Sequence, residues 1–158
     1  MLTETRAVTI NPAFLREIKD DDVRLRILLE RAHDVCTLCL HADAPSSHFA
    51  SLLAELRDQL AMHFALEEAY GYFDDPAYVA PHLSEHVESL RGQHSQLYEE
   101  VSRLAETAQN IVHRNAESRG MRQLGRWFLK FYGRLHDHED AENELLAEAY
   151  NLDIGGSG

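Results

Sequence analysis

The sequence predicts an all-α protein: an antiparallel up-down-up-down four-helix bundle preceded by an N-terminal arm. Three observations lead there. Apolar residues recur at steps of three and four through four long segments, the mark of helices buried along one side. Short, turn-rich links separate the segments, so consecutive helices run antiparallel. No stretch alternates apolar and polar residues as a half-buried strand does.

A chain of 158 residues is long enough for one domain with a real core. Fifteen basic residues stand against 27 acidic ones, net −12. That balance argues against nucleic acid and anionic membrane surfaces, which both call for a basic face. Met1 to Ile10 has no apolar core of signal-peptide length, and no segment approaches the ~20 apolar residues of a membrane span. A cytoplasmic location is therefore expected. Nothing in the sequence names a protein partner.

Residues 1–20 read as an arm with a short helix. Asn11-Pro12 suits an N-cap followed by proline at the first helical position, and Phe14, Leu15 and Ile18 give a short apolar face. Asp20, Asp21 and Asp22 suit either the first turn of a new helix or a bend in one long helix. Leu25, Leu29, His33, Cys36 and Leu40 then carry the first bundle helix. Cys36 and Cys39 share a face. They read as small core residues, with a redox pair or thiolate ligands as alternatives.

Ala44-Pro45-Ser46-Ser47 is a loop with a capping serine, and the second helix runs to about Tyr70. Its stripe is Phe49, Leu52 or Leu53, Leu56, Leu60, His63, Glu67. Asp74-Asp75-Pro76 marks the turn within residues 71–81. The third stripe is Leu83, Val87, Leu90, His94, Leu97, Val101, Leu104, Ala108, with His94 its one polar member. His113 to Gly120 is the next turn. The fourth stripe is Leu124, Phe128, Phe131, Leu135, His138, Glu142, Leu145, Ala149. Residues 21–154 thus make the bundle, and 155–158 a flexible tail.

The polar exceptions carry the functional signal. An ionised carboxylate on a core face costs several kcal/mol unless a positive group meets it. Two helices nevertheless place a histidine and a glutamate four apart on that face. Residues equidistant from a link lie at one height in an antiparallel pair. The His63/Glu67 pair and His94 centre near position 79, and His94 with the His138/Glu142 pair near 117, both inside links. His33 and the His63/Glu67 pair centre on 49, within about one helical turn of the 42–47 loop. Four histidines and two carboxylates are thus expected in one layer. Imidazole with carboxylate suits iron, manganese or zinc, and six ligands exceed the need of one zinc. Two metals bridged by Glu67 and Glu142 fit the count; a metal-free His–Glu network is the plainer alternative.

The order of a histidine on the first helix, His-x-x-x-Glu on the second, a histidine on the third and His-x-x-x-Glu on the fourth resembles the hemerythrin-like, or HHE cation-binding, family. The resemblance spans roughly Leu25 to Ile154. Its local text includes His63-Phe64-Ala65-Leu66-Glu67-Glu68 and His138-Glu139 through Glu142-Asn143. It implies a non-heme di-iron centre of two iron ions, with manganese or zinc as substitutes. The implied ligands are His33, His63, Glu67, His94, His138 and Glu142, with no separate catalytic residue. It further implies a sensor or scavenger that binds O2, NO or peroxide. Iron handling, including iron–sulfur-cluster repair, and a di-iron oxidase or peroxidase are the alternatives, so enzymatic status stays open.

The chain departs from oxygen-carrying members on the third helix. They pair two histidines four apart there, whereas the position four before His94 is Leu90, which implies a more open centre. His82 and His86 are a rival pair for that helix, but both fall off the Leu83–Val87–Leu90 stripe. Glu30 is placed to hydrogen-bond a ligand imidazole. Tyr70 either donates to a bound oxygen species or packs as a core aromatic. Leu29, Leu60, Leu90, Phe131 and Leu135 are expected to wall off water.

Overall fold

A computed structural model describes residues 12–41, 46–69, 81–114 and 118–149. Four helices account for nearly all of them: α1 (Pro12–His41), α2 (Ser46–Ala69), α3 (Ser84–His113) and α4 (Ser118–Ala149). A 3-10 turn at Pro81–Leu83 leads into α3. Each helix packs mainly on two neighbours, α1 and α3 both lying against α2 and α4. This is the expected bundle, and no strand occurs among the described residues.

The stripes become the interior. Val87, Leu90, His94, Leu97, Val101, Leu104 and Ala108 are all buried on α3, as the four-three spacing requires. Burial of Phe49, Leu53, Leu56 and Leu60 on α2 meets Phe128, Phe131 and Leu135 on α4. Phe49 and Phe128 pack edge to face, with ring centroids 5.6 Å apart. Cys36 joins this core. Its thiol donates to the Gly125 carbonyl at 3.2 Å, and a Cβ on Gly125 would stand 3.2–3.3 Å from Leu40 and Cys36 side-chain atoms. Glycine at 125 is what lets α1 and α4 approach there. Both cysteines are free, and burial raises both thiols, Cys36 to about 12, so they behave as the small core residues of the plainer reading.

Of the two readings of Asp20, Asp21 and Asp22, the one long helix holds: α1 runs unbroken through them from Pro12 onward. The reason lies in its face: Ile18, Asp21, Leu25, Leu29, Ala32, Cys36 and Cys39 keep one buried line with no break at the aspartates. α4 begins at Ser118, inside the stretch expected to be a turn. Tyr70 and the 155–158 tail lie outside the described residues. Among those described, no helix is long and apolar enough to cross a membrane.

Candidate metal centre

Antiparallel packing brings the early part of α1, the end of α2, the early part of α3 and the late part of α4 to one end of the bundle. There the stripes deliver the buried polar residues Asp21, His63, Glu67, His94, His138 and Glu142. The i, i+4 spacing lets His63 and Glu67 point the same way from α2, and His138 and Glu142 from α4.

Each of three imidazoles is held from outside through Nδ1. His63 Nδ1 bonds Asp21 Oδ2 at 2.7 Å, and the other Asp21 oxygen accepts from Gln59 at 2.6 Å. His138 Nδ1 donates to Gln93 Oε1 at 2.8 Å, and His94 Nδ1 meets Glu68 Oε1 at 3.4 Å. With Nδ1 engaged outward, the three Nε2 atoms turn inward to the carboxylates. His63 Nε2 is 3.3 Å from Glu67, His94 Nε2 is 3.4 Å from Glu67 and 3.8 Å from Glu142, and His138 Nε2 is 3.2 Å from Glu142. Phe64 stacks on His94 at 4.0 Å between centroids and sets its edge to His138.

Charge in this layer is poorly matched by protein alone. Burial pushes the Glu67 carboxyl up, and the facing Glu142 adds to the rise. Burial also acts upward on Glu142, but the facing His138 and His94 imidazoles outweigh it and hold that carboxyl low. His63 would be lowered by burial, yet Asp21 and Glu139 push it up to about 11. Glu67 Oε1, both Glu142 oxygens and His138 Nε2 are fully enclosed without a hydrogen bond. Buried polar atoms are rarely left so. Donors bonded to one cation at ~2.1 Å stand roughly 3–4 Å apart, the spacing found here, so these residues fit a bound metal.

Three donor groups emerge: Glu67, His94, His138, Glu142; His63, Glu67, Glu139, Glu142; and, on the outer side of His63, Asp21, Asp22, His63; the first two share both carboxylates of the His-x-x-x-Glu pairs. The atoms within each lie within 4.8 Å of one another. Five of the expected ligands therefore meet. His33 does not join them. It stands twelve residues beyond Asp21, about 18 Å along α1, half-buried against Tyr132 with ring centroids 4.6 Å apart. Glu30 accepts from the Tyr132 hydroxyl at 2.6 Å rather than from a ligand imidazole. His82 and His86 are exposed and belong to none of these groups.

Besides Glu68 and Gln93 at the outer imidazole nitrogens, Asp21 and Glu139 take part beyond the expected six. Asp21 had a readable signal: it lies on the Ile18–Leu25–Leu29 line, and its midpoint with the His63/Glu67 pair is position 43, inside the 42–45 link. Glu139, like Glu68 and Glu144, leaves its stripe and so reads from the sequence as a solvated surface carboxylate, yet it reaches His63 through its long side chain at 3.1 Å. Beside them a cavity of about 260 Å³ lies between α1, α2 and α4, lined by Asp21, Asp22, His63, Glu67, Glu139 and Asp140 among others.

Compared with known families, the chain matches the hemerythrin HHE cation binding domain over residues 13–150. No curated protein and no solved structure matches it.

Proposed function

This chain belongs to the hemerythrin HHE cation-binding family, and we propose that it is a non-heme di-iron protein that meets O2, NO or peroxide as a sensor or scavenger. The observation carrying this reading is the pair of donor groups that share the buried Glu67 and Glu142. Two cations bridged by those carboxylates would satisfy the enclosed oxygens and the inward Nε2 atoms together.

Bound iron would supply the redox chemistry; manganese or zinc would substitute in binding. The chain's own work is positional. Asp21, Glu68 and Gln93 fix the tautomers of His63, His94 and His138 so that each presents a lone pair inward. Leu29, Leu60, Phe131 and Leu135 on the core side of the layer and Leu90 on its outer side, all buried, exclude bulk water. The cavity at His63 and Glu139 gives a small ligand its approach.

A second reading, iron handling, is favoured by one feature. The cavity rim carries Asp22 and Asp140 as well as the buried acids, a route suited to a divalent cation. Anaerobic ferrous protein mixed with O2 or NO separates the two. A spectral change at one ligand per metal pair supports gas or peroxide binding. No spectral change, with iron passing to an apo iron–sulfur acceptor, supports iron handling. Sustained turnover with a reductant would instead mark an oxidase or peroxidase.

A further inference from the structure

The two donor groups that share Glu67 and Glu142 are not chemically alike. One offers two imidazoles and two carboxylates, from His94, His138, Glu67 and Glu142, and all four residues are buried. The other offers one imidazole and three carboxylates, from His63, Glu67, Glu139 and Glu142. Its distinctive member, Glu139, is about one-third exposed and faces the cavity between α1, α2 and α4. Asp21, on the far side of His63, adds a further negative charge at 2.7 Å from the ring.

Nitrogen donors favour borderline cations, whereas oxygen-rich sets suit harder ones such as Mn2+ or Mg2+. Exposure differs in the same sense: all four residues of the imidazole-rich position are buried, whereas Glu139 of the carboxylate-rich one is about one-third exposed. Resting on the di-metal reading above, we propose that Glu139 is a metal ligand and that the two positions hold their ions unequally. The His94–His138 position holds its ion tightly. The His63–Glu139 position, richer in oxygen donors, holds a readily exchanged ion and also accepts a harder cation such as Mn2+. Glu67 and Glu142 bridge them, and the enclosed Glu142, with neither oxygen hydrogen-bonded, is the independent sign that a cation belongs on both sides of it.

The test uses the full chain stripped of metal, given one equivalent of Zn2+, then titrated with Mn2+ while free Mn2+ is followed by electron paramagnetic resonance. The parent is expected to take up about one Mn2+ per chain with the Zn2+ retained. Glu139→Gln should keep its Zn2+ and bind Mn2+ at least about tenfold more weakly. Circular dichroism checks that each variant is helical, and Glu139→Ala repeats the comparison without an amide in the site. Equal Mn2+ uptake by parent and variant, or loss of Zn2+ along with Mn2+, would overturn the asymmetry while leaving a two-metal centre standing. A parent that binds neither ion would overturn the di-metal reading as well.

Discussion

At the end of the bundle where α1 finishes and α2 begins, the four stripes meet as Cys36, Phe49, Leu53, Leu104, Ala108 and Phe128. At the opposite end the same stripes, with unchanged spacing, meet as Asp21, His63, Glu67, His94, His138 and Glu142. Backbone geometry and burial are alike at both ends; only the chemistry of the buried atoms differs. The apolar end gains stability from area removed from water. The polar end buries its six groups close together with several acceptors unsatisfied, an arrangement that opposes folding until a cation joins it. One half of the molecule holds the other in place.

Truncation at the apolar end should have the largest effect. Phe128→Ala is expected to lower stability by about 3–5 kcal/mol in urea denaturation, while metal bound per folded chain stays at the parental value. A change in metal content would show that the two ends are less independent than their packing indicates.

A pH shift acts on the polar end alone. His63 is raised from 6.5 to about 11, so the folded state keeps a proton that the unfolded chain releases. Its stabilisation is complete below pH 6.5 and is lost as pH climbs toward 11. Glu67, raised from 4.5, contributes in the same direction. From His63 alone, metal-free protein should lose about 2–3 kcal/mol between pH 7 and pH 9, and Glu67 adds to that loss. Metal affinity should rise over that range, because the ligands must shed protons to bind. Thermal melts at both pH values, with and without metal, read both trends.

Glu67→Leu turns part of the polar end into the apolar one. Without metal it should be more stable than the parent by about 1–2 kcal/mol, and it should fail to retain metal. Asp21→Asn is the mildest change. It leaves the His63 ring in place but weakens the anchor at Nδ1, and metal affinity should fall about tenfold, ~1.4 kcal/mol. Isothermal titration measures it.

What could be read from sequence follows the same division. His63, Glu67, His94, His138 and Glu142 stood out because each interrupts an apolar stripe, and periodicity fixes the face of a helix well. Height along the axis is fixed less well, since it depends on where a link truly turns. His33 fell one position beyond the buried Ala32 and about 18 Å from the layer. Asp21 was obscured by its neighbours Asp20 and Asp22, a run that looks like a solvated helix start although its middle member faces inward. Glu139 depends on how closely α4 approaches α2, which no single-helix pattern encodes.

Metal content per chain tests the central claim most directly, measured on protein from iron-replete cells beside Glu142→Ala. Carboxylates shared between two positions predict about two irons per chain in the parent and essentially none in the variant. A parent without stoichiometric metal, or a variant that keeps the parent's content, would contradict it.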